Sequence, residues 1–235
     1  MKIIRNEAKI RRYGQLGGWL TLAALLVLGA GFYISFAQPN LFLYSLLSLM
    51  IGFVLMQISL FLGNRYGRRP RLDERLDTSL KGLSNEYSLY HFSGPVPHLL
   101  VGPAGLWVLR PYHQAGKIRY QRNRWQISGG GFMQAYMRLF GQEGIGRPEA
   151  EVDAELDSLR NFLRKNVDAE TEFDPQAVLV FNSEGTDLSE TQSAPIPAVT
   201  YKQLKDLIRK SAKSRPLTPA QLAEIKAALP NDEAS

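Results

Sequence analysis

The sequence predicts a mixed α/β domain that is preceded by a hairpin of two transmembrane helices. Two long stretches near the N-terminus, residues 16–37 and 41–62, contain no charged residue. After residue 72 the helical spacing of leucines gives way to short β-rich segments and then to further helices. This order is typical of one mixed sheet that is flanked by helices.

The two uncharged stretches have the length that a membrane requires. Each has 22 residues, which as a helix reaches about 33 Å and exceeds a hydrocarbon core of about 30 Å. Only Gln38-Pro39-Asn40 separates them, which predicts a tight turn and places both outer ends on the same side. Neither stretch contains an ionisable Asp, Glu, Lys, Arg or His, so the pair is interpreted as an anchor rather than an ion path.

Basic residues flank the predicted hairpin on both outer sides. The flanking arginines are Arg11, Arg12, Arg65, Arg68, Arg69 and Arg71. The turn has no basic residue, so the positive-inside rule predicts a multi-pass protein of the cell membrane with both termini in the cytoplasm. The basic N-terminal segment 1–15 and the linker 63–71 lie next to this bilayer, and we expect the linker to contact anionic lipid headgroups.

One alternative for the first stretch is a cleaved signal sequence. Ser35-Phe36-Ala37 resembles a signal-peptidase site. The apolar stretch is longer than the usual core of a signal peptide, and the second stretch would still anchor the domain. The sequence therefore favours two transmembrane helices.

Charge and cysteine content exclude several function classes. Residues 72–235 contain 19 basic and 21 acidic residues, so the net charge of +6 comes from the membrane flanks. Overall basicity therefore does not indicate a nucleic-acid partner. The absence of cysteine excludes disulfides, thiolate zinc sites and cysteine nucleophiles.

The domain from residue 72 to 229 is predicted element by element. Leucines at one-turn spacing predict a first helix from Leu72 to about Asn85. Short β-rich runs follow at 87–92, 98–101, 106–109, 117–120 and 125–127, the last two as a hairpin. A helix starts at Pro148, a strand buried on both faces covers 177–181, a short strand covers 198–199, and two capped helices cover 201–211 and 219–229. Residues 183–194 are predicted as a loop, 128–146 as a glycine-rich connector, and 230–235 as a tail.

Three features of this domain resemble the nuclease-related domain (NERD) family. They are the first helix with Glu74, the sequence HLLVGPAGLWVL at 98–109, and the sequence GKIRYQRNRW at 116–125. The resemblance covers residues 72–229 and implies a restriction-endonuclease-like fold. Family members with nuclease-like sites place an acid in the first helix, an Asp just before the strand that matches HLLVGP, and an acid-x-Lys pair at the end of the strand that matches GLWVL.

The positions that match this family site carry mostly other residues. Glu74 matches the helix acid, but the Asp position falls on Pro97 or His98, and the acid-x-Lys pair falls on Arg110 and Tyr112. Mg²⁺ prefers anionic oxygens, whereas Arg110 brings a fixed positive charge. We therefore expect no metal, no cofactor and no nuclease activity. The predicted function is a binding or scaffold module whose protein partner the sequence does not identify.

Two alternatives stay open. A metal-dependent nuclease with a rearranged site would use Mg²⁺ with Glu74, Glu86 or His98. A nucleic-acid-binding protein without cleavage would use the predicted hairpin, where basic residues alternate with aromatic ones. The hairpin candidates are Lys117, Arg119, Arg122, Arg124 and Trp125, and Arg110 is expected near them. The three histidines, His91, His98 and His113, lack the spacing of a metal motif and are interpreted as structural.

Overall fold

The computed structural model describes residues 1–67, 69–128, 145–167, 173–214 and 217–230. The chain divides into two compact units. The helical-hairpin unit is Asn6–Arg71, and the sheet unit consists of Met1–Arg5 together with Leu72–Ser235. Arg68, most of the glycine-rich connector (129–144) and the tail from 231 lie outside the described residues, and so do the predictions made for them.

The helical-hairpin unit contains helices α1 (Glu7–Ala37) and α2 (Phe42–Leu62). A 3₁₀ turn, Pro39–Leu41, joins them, and a π-helical turn, Gly63–Gly67, follows α2. Helix α1 begins nine residues before the predicted start, because the Asn6 side chain caps it by accepting from the Lys9 backbone N–H at 2.8 Å. Both helices are long and apolar enough to cross a membrane.

Small residues allow α1 and α2 to approach each other closely. A Cβ atom added to Gly52 would lie 2.5 Å from Cγ of Leu28, and one added to Gly31 would lie 2.8 Å from Cβ of Ser48. The Ser45 hydroxyl donates to the Gly31 carbonyl oxygen at 2.8 Å across the same contact. Such contacts between small residues and hydroxyls are typical of helix pairs in lipid.

The sheet unit has four helices and two sheets in its described residues. The helices are α3 (Leu72–Leu80), α4 (Pro148–Asn166), α5 (Tyr201–Ser214) and α6 (Pro219–Ala228). The strands are β1 (Lys2–Arg5), β2 (Ser88–His91), β3 (His98–Gly102), β4 (Gly105–Tyr112), β5 (Gly116–Gln121), β6 (Arg124–Ser128), β7 (Gln176–Phe181), β8 (Thr186–Glu190) and β9 (Ala198–Thr200).

The larger sheet has the strand order β1-β2-β3-β4-β7-β9. Strands β1 and β2 are parallel, β3 is antiparallel to both β2 and β4, and β7 is parallel to β4 and β9. Five strands therefore point one way and β3 points the other way. This is the mixed α/β architecture that the sequence predicts.

Residues 2–5 differ from the prediction of a basic N-terminal segment. They form β1, in which Lys2 pairs with Ser88 and Arg5 with His91. Ile4 is 2% exposed and packs in the core, whereas Ile3 is 40% exposed. A four-residue strand with basic residues at both ends has too little apolar pattern to be recognised, because its partner strand supplies the pairing.

The prediction of one sheet and of a loop at 183–194 is wrong. Strands β6, β5 and β8 form a separate three-stranded sheet, in which β8 is parallel to β5. The residues of β8 are polar and only partly buried, so no apolar alternation marks the strand. The predicted hairpin of β5 and β6 is confirmed, and its turn residues Arg122 and Asn123 have φ of 53° and 57°.

Two apolar clusters cover opposite faces of the larger sheet. Leu76 of α3 and Leu204 of α5 pack with Leu109 of β4, whereas Leu159 of α4 and Ile225 of α6 pack with the neighbouring strand residues. Strand β7 contributes alternate residues to both clusters, which confirms that it is buried on both faces. The larger sheet is thus the middle layer of three.

The starts of α5 and α6 follow the predicted capping signals. Thr218 and Gln221 form a complete capping box at α6. At α5, the Gln203 side chain accepts from the Thr200 backbone N–H at 3.1 Å. These local contacts explain why both helices were predictable from sequence.

Candidate functional site

The polar side chains of the sheet unit gather at one edge of the larger sheet. Because β1, β2, β4 and β7 are mutually parallel, their carboxyl ends lie along one edge, which we call the carboxyl edge. The antiparallel strand β3 begins there, since His98 pairs with His91. Ligands of open α/β sheets bind outside this kind of edge. The carboxyl edge is therefore the candidate site.

On the α3 face of this edge, Arg5 joins two carboxylates. Its Nε lies 3.0 Å from Oδ2 of Asp73, which is 1% exposed, and its Nη2 donates to Asp77. Asp73 and Asp77 are four residues apart, so they share one face of α3. The guanidinium compensates two acids that would otherwise be costly to bury.

Asp77 also connects Arg5 to two buried histidines. Nε2 of His91 lies 2.9 Å from Oδ1 of Asp77, and Nδ1 of His91 lies 2.8 Å from Nδ1 of His98. Because the carboxylate accepts, His91 carries its Nε2 proton, and one of the two Nδ1 atoms donates to the other. The three side chains therefore form a continuous hydrogen-bonded chain from α3 to β3.

The environment of Asp77 favours its charged form. Burial alone would raise the pKa of Asp77, but the hydrogen bond and charge of His91 and the Arg5 guanidinium lower it below the ordinary 3.8. Asp77 is therefore ionised at neutral pH and contributes stability through these contacts.

The centre of the carboxyl edge contains a buried amide. The Asn182 side chain is 1% exposed, and neither of its amide atoms has a hydrogen-bond partner among the described residues. Its backbone oxygen accepts from Arg75 of α3, and its backbone N–H donates to the Tyr112 carbonyl oxygen at 2.8 Å. The backbone contacts fix the position of Asn182 at the end of β7.

On the α4 face, Arg110 of β4 lies between two glutamates. It donates to Glu155 at 2.5 Å and to Glu151, both on α4. Burial alone would lower the pKa of Arg110, but the carboxylates of Glu155 and Glu151 raise it above its ordinary value. The positive charge that the sequence places here is thus compensated by two acids.

Tyr112 lies next to this ion pair. Its hydroxyl donates to Glu151 at 3.4 Å, and its ring stacks on Phe181 with the centroids 5.4 Å apart. Burial and the negative charge of Glu151 raise the pKa of Tyr112 to about 12. The phenol therefore remains protonated at neutral pH and acts as a hydrogen-bond donor.

The positions that match the family site do not converge. Glu74 lies on α3 and His98 contacts His91 on the same face, whereas Arg110 and Tyr112 contact α4 on the other face. Pro97 belongs to the turn before β3, where its carbonyl oxygen accepts from the Phe92 backbone N–H at 2.8 Å. The described residues contain no group of three or more His, Cys, Asp or Glu side chains that could hold a metal ion.

The β5–β6 hairpin is less available for nucleic acid than its sequence indicates. Nζ of Lys117 lies 2.5 Å from Glu190 and Nε of Arg119 lies 2.9 Å from it, so both basic side chains are held by one carboxylate of β8. Trp125 is 8% exposed and packs edge-on against Tyr120, and its ring is therefore not a free stacking surface. Arg122 and Arg124 are exposed at the turn.

Sequence reasoning missed the central members of the site. The sequence places Arg5 in the basic N-terminal segment, indicates a structural role for His91, and gives Asp73 and Asp77 no role beyond membership of the first helix. The spacing of Asp73 and Asp77 places them on one helix face. No sequence signal connects them to Arg5, because that contact depends on the pairing of β1 with β2.

Comparison of the chain with models of protein families, with curated proteins and with solved structures found no match. The resemblance to the NERD family thus rests on the residues quoted above and stays a prediction.

Proposed function

We propose that the chain is a membrane-anchored, NERD-like protein whose sheet unit has a restriction-endonuclease-like fold and acts as a binding or scaffold module. The observation that carries the proposal is the pairing of Arg110 with Glu151 and Glu155. In a nuclease of this kind, the matching position supplies an anionic metal ligand. Here a guanidinium occupies it, and the nearest carboxylates bind that guanidinium.

The chemistry of a hard cation supports this proposal. Mg²⁺ needs several oxygen ligands with negative charge around one point. Glu74 and Arg110 lie on opposite faces of the sheet, so the matched positions do not surround one point. A single carboxylate from α3 would not hold the ion in competition with water.

The helical hairpin supports the membrane part of the proposal. Apolar side chains along both helices are exposed, among them Phe36 at 73% and Leu43 at 74%. A hydrocarbon environment removes this unfavourable exposure to water. Strand β1 precedes α1, and the rest of the sheet unit follows α2, so both outer ends of the hairpin lead into one folded unit. That unit lies on one side of the bilayer, and the basic flanks assign this side to the cytoplasm.

A nuclease assay on the full chain tests the proposal. The protein in detergent is incubated with single- and double-stranded DNA and RNA in the presence of Mg²⁺ or Mn²⁺. We expect no metal-dependent cleavage, and calorimetry should detect no metal binding that depends on Glu74.

Cleavage that disappears in Glu74→Ala and persists in Asp157→Ala would overturn the proposal. Asp157 is a suitable control because its carboxylate is exposed on α4. That outcome would establish the rearranged nuclease, with Glu86 and His98 as the next residues to replace. Binding without cleavage that depends on Arg122 and Arg124 would establish the nucleic-acid-binding alternative instead.

A further inference from the structure

Helix α5 concentrates positive charge in the sheet unit. Residues 201–214 contain five basic residues and one acid, Asp206. The rest of the segment 72–235 contains 14 basic and 20 acidic residues. Helix α5 is thus strongly basic, whereas the rest of the segment 72–235 is acidic.

The five basic residues lie on one side of α5. They are Lys202, Lys205, Arg209, Lys210 and Lys213, and we call them the α5 basic stripe. The opposite side of the helix carries Leu204 and Ile208, which are fully buried against α3 and the sheet. Because residues three and four apart share a helix face, burial of the leucine side directs the stripe outwards.

One acid, Asp206, lies on the same side of α5, four residues from both Lys202 and Lys210, so this side keeps five positive charges less one, a net +4. None of the five basic side chains forms an ion pair with a carboxylate of the described residues. Lys205 donates to the Lys81 carbonyl oxygen at 3.2 Å and Arg209 donates to the Gly82 carbonyl oxygen at 3.3 Å, which orients two of them without cancelling their charge. By contrast, Lys117 and Arg119 are both paired with Glu190.

We infer that the α5 basic stripe is a docking surface for anionic lipid headgroups. The inference rests on the proposed membrane anchor, because the anchor decides which anionic surface is close. Asn6 alone separates β1 from α1, and residues 63–71 separate α2 from α3. Two such short connections to the proposed membrane anchor keep the sheet unit beside the bilayer, where the local concentration of headgroups is high.

The stripe fits a lipid surface better than a nucleic acid. Tyr201 is the one aromatic residue in the α5 sequence, and its hydroxyl donates to Glu184 while Lys202 lies 5.6 Å from its ring centroid. Binding of single-stranded nucleic acid relies on free aromatic rings that stack on bases. Flexible, positively charged side chains instead match a fluid layer of lipid phosphates and carboxylates. Such a layer attracts each lysine or arginine that lies within a Debye length of it.

The full chain in lipid vesicles allows a direct test. The sequence has no cysteine, so Ser214→Cys places one fluorescent label at the end of α5. The vesicles are phosphatidylcholine alone or phosphatidylcholine with about one-third phosphatidylserine, and a spin-labelled headgroup lipid serves as quencher. We expect quenching to rise about twofold in the anionic vesicles and to return to the neutral value at high salt.

Matched variants separate the stripe from general charge effects. Ala154→Cys places the label on α4, on the other face of the sheet, where the quenching should be equal in both vesicles. Replacing Lys202, Arg209, Lys210 and Lys213 with Gln should abolish the response of the label at 214. Replacing Arg122, Arg124, Arg164 and Lys165 with Gln removes the same charge elsewhere and should preserve it.

The two proposals fail in distinguishable ways. Release of the wild-type protein from vesicles by alkaline carbonate would contradict the membrane anchor. An anchored protein whose label at 214 responds equally to neutral and anionic vesicles would overturn the lipid-docking inference alone. Binding of labelled RNA or DNA that is lost in the four-Gln stripe variant, without any lipid response, would assign the stripe to nucleic acid and likewise overturn the inference.

Discussion

Asp77 has two different partners, and both favour its carboxylate form. His91 contacts one oxygen of the carboxylate and Arg5 the other. Since the pKa of Asp77 is lowered in the folded protein, the folded state binds fewer protons than the unfolded state in acid. The resulting stability is complete above the ordinary pKa of 3.8 and is lost as the pH falls through the lower folded value.

We predict that Asp77→Asn destabilises the protein and removes part of its acid sensitivity. At neutral pH the variant should unfold with a free energy lower by roughly 1–3 kcal/mol, because His91 and Arg5 lose a charged acceptor. Between about pH 5 and pH 3 its melting temperature should fall less steeply than that of the wild type. Melting curves of the full chain in detergent measure both effects.

Asp157→Asn is the matched control, since Asp157 is 70% exposed and, in the part of the chain that the structure describes, pairs only with the neighbouring Arg160. Its melting temperature should follow the wild type at every pH. Equal slopes for the wild type and Asp77→Asn in acid would show that the Asp77 contacts do not contribute to stability.

Arg110 shows how far a single residue can be interpreted from sequence. Its charge alone predicts that the matched position cannot bind Mg²⁺. Its partners, Glu151 and Glu155, are 41 and 45 residues further along the chain. Glu151 looks like an ordinary acid in the first turn of a helix, which is a favourable place for it in any case. The pairing depends on the packing of α4 against β4, which no local sequence signal indicates.

At the scale of elements, β1 depends on its packing against the rest of the sheet. Ile4 is buried in the core cluster, whereas the adjacent Ile3 is half exposed. The two residues have the same side chain and lie in the same strand, but their side chains point to opposite faces of the sheet. They therefore form a matched pair for mutation.

We predict that Ile4→Ala destabilises the protein by about 2–4 kcal/mol, because it leaves a cavity in the core. Ile3→Ala should cost less than about 0.5 kcal/mol, as expected for a surface position. Chemical denaturation followed by tryptophan fluorescence compares the two variants. Equal effects would mean that β1 is not packed on the sheet.

The elements that the sequence predicted well are those with local signals. Thr218 and Gln221 satisfy each other within one helical turn, and the apolar run of β7 reflects its burial on both faces. The sequence does not predict strand β8, because its formation depends on pairing with β5, which is distant in the sequence. Its Glu190 pairs with Lys117 and Arg119, and the sequence around it is polar.

At the scale of the whole molecule, the position of β1 restricts the proposed membrane topology. Residues before α1 and after α2 contribute to one sheet, so both outer ends of the proposed membrane hairpin would lie on the same side of a bilayer. The sequence predicted this arrangement from the short turn and the basic flanks. The pairing of Lys2 with Ser88 supports it independently of any charge rule.

We predict that Asn40→Cys, in the turn of the hairpin, reacts with a membrane-impermeant thiol reagent on intact cells. Ser214→Cys in α5 should react only after the membrane is opened, because the sheet unit is proposed to be cytoplasmic. Mass-tag labelling measures both reactions. The opposite pattern would place the sheet unit outside the cell, and labelling of both sites on intact cells would contradict a spanning hairpin.

The pairing of β1 with β2 also has a consequence for biosynthesis. The residues of β1 leave the ribosome first, but Ser88–His91 must follow before the two strands can meet. Between them the hairpin is synthesised and, in the proposed topology, inserted into the membrane. The sheet can be completed only if the N-terminal strand stays on the side where translation continues. A chain in which only one of the two helices crossed the bilayer would separate Ile4 from its core, so it could not complete the sheet.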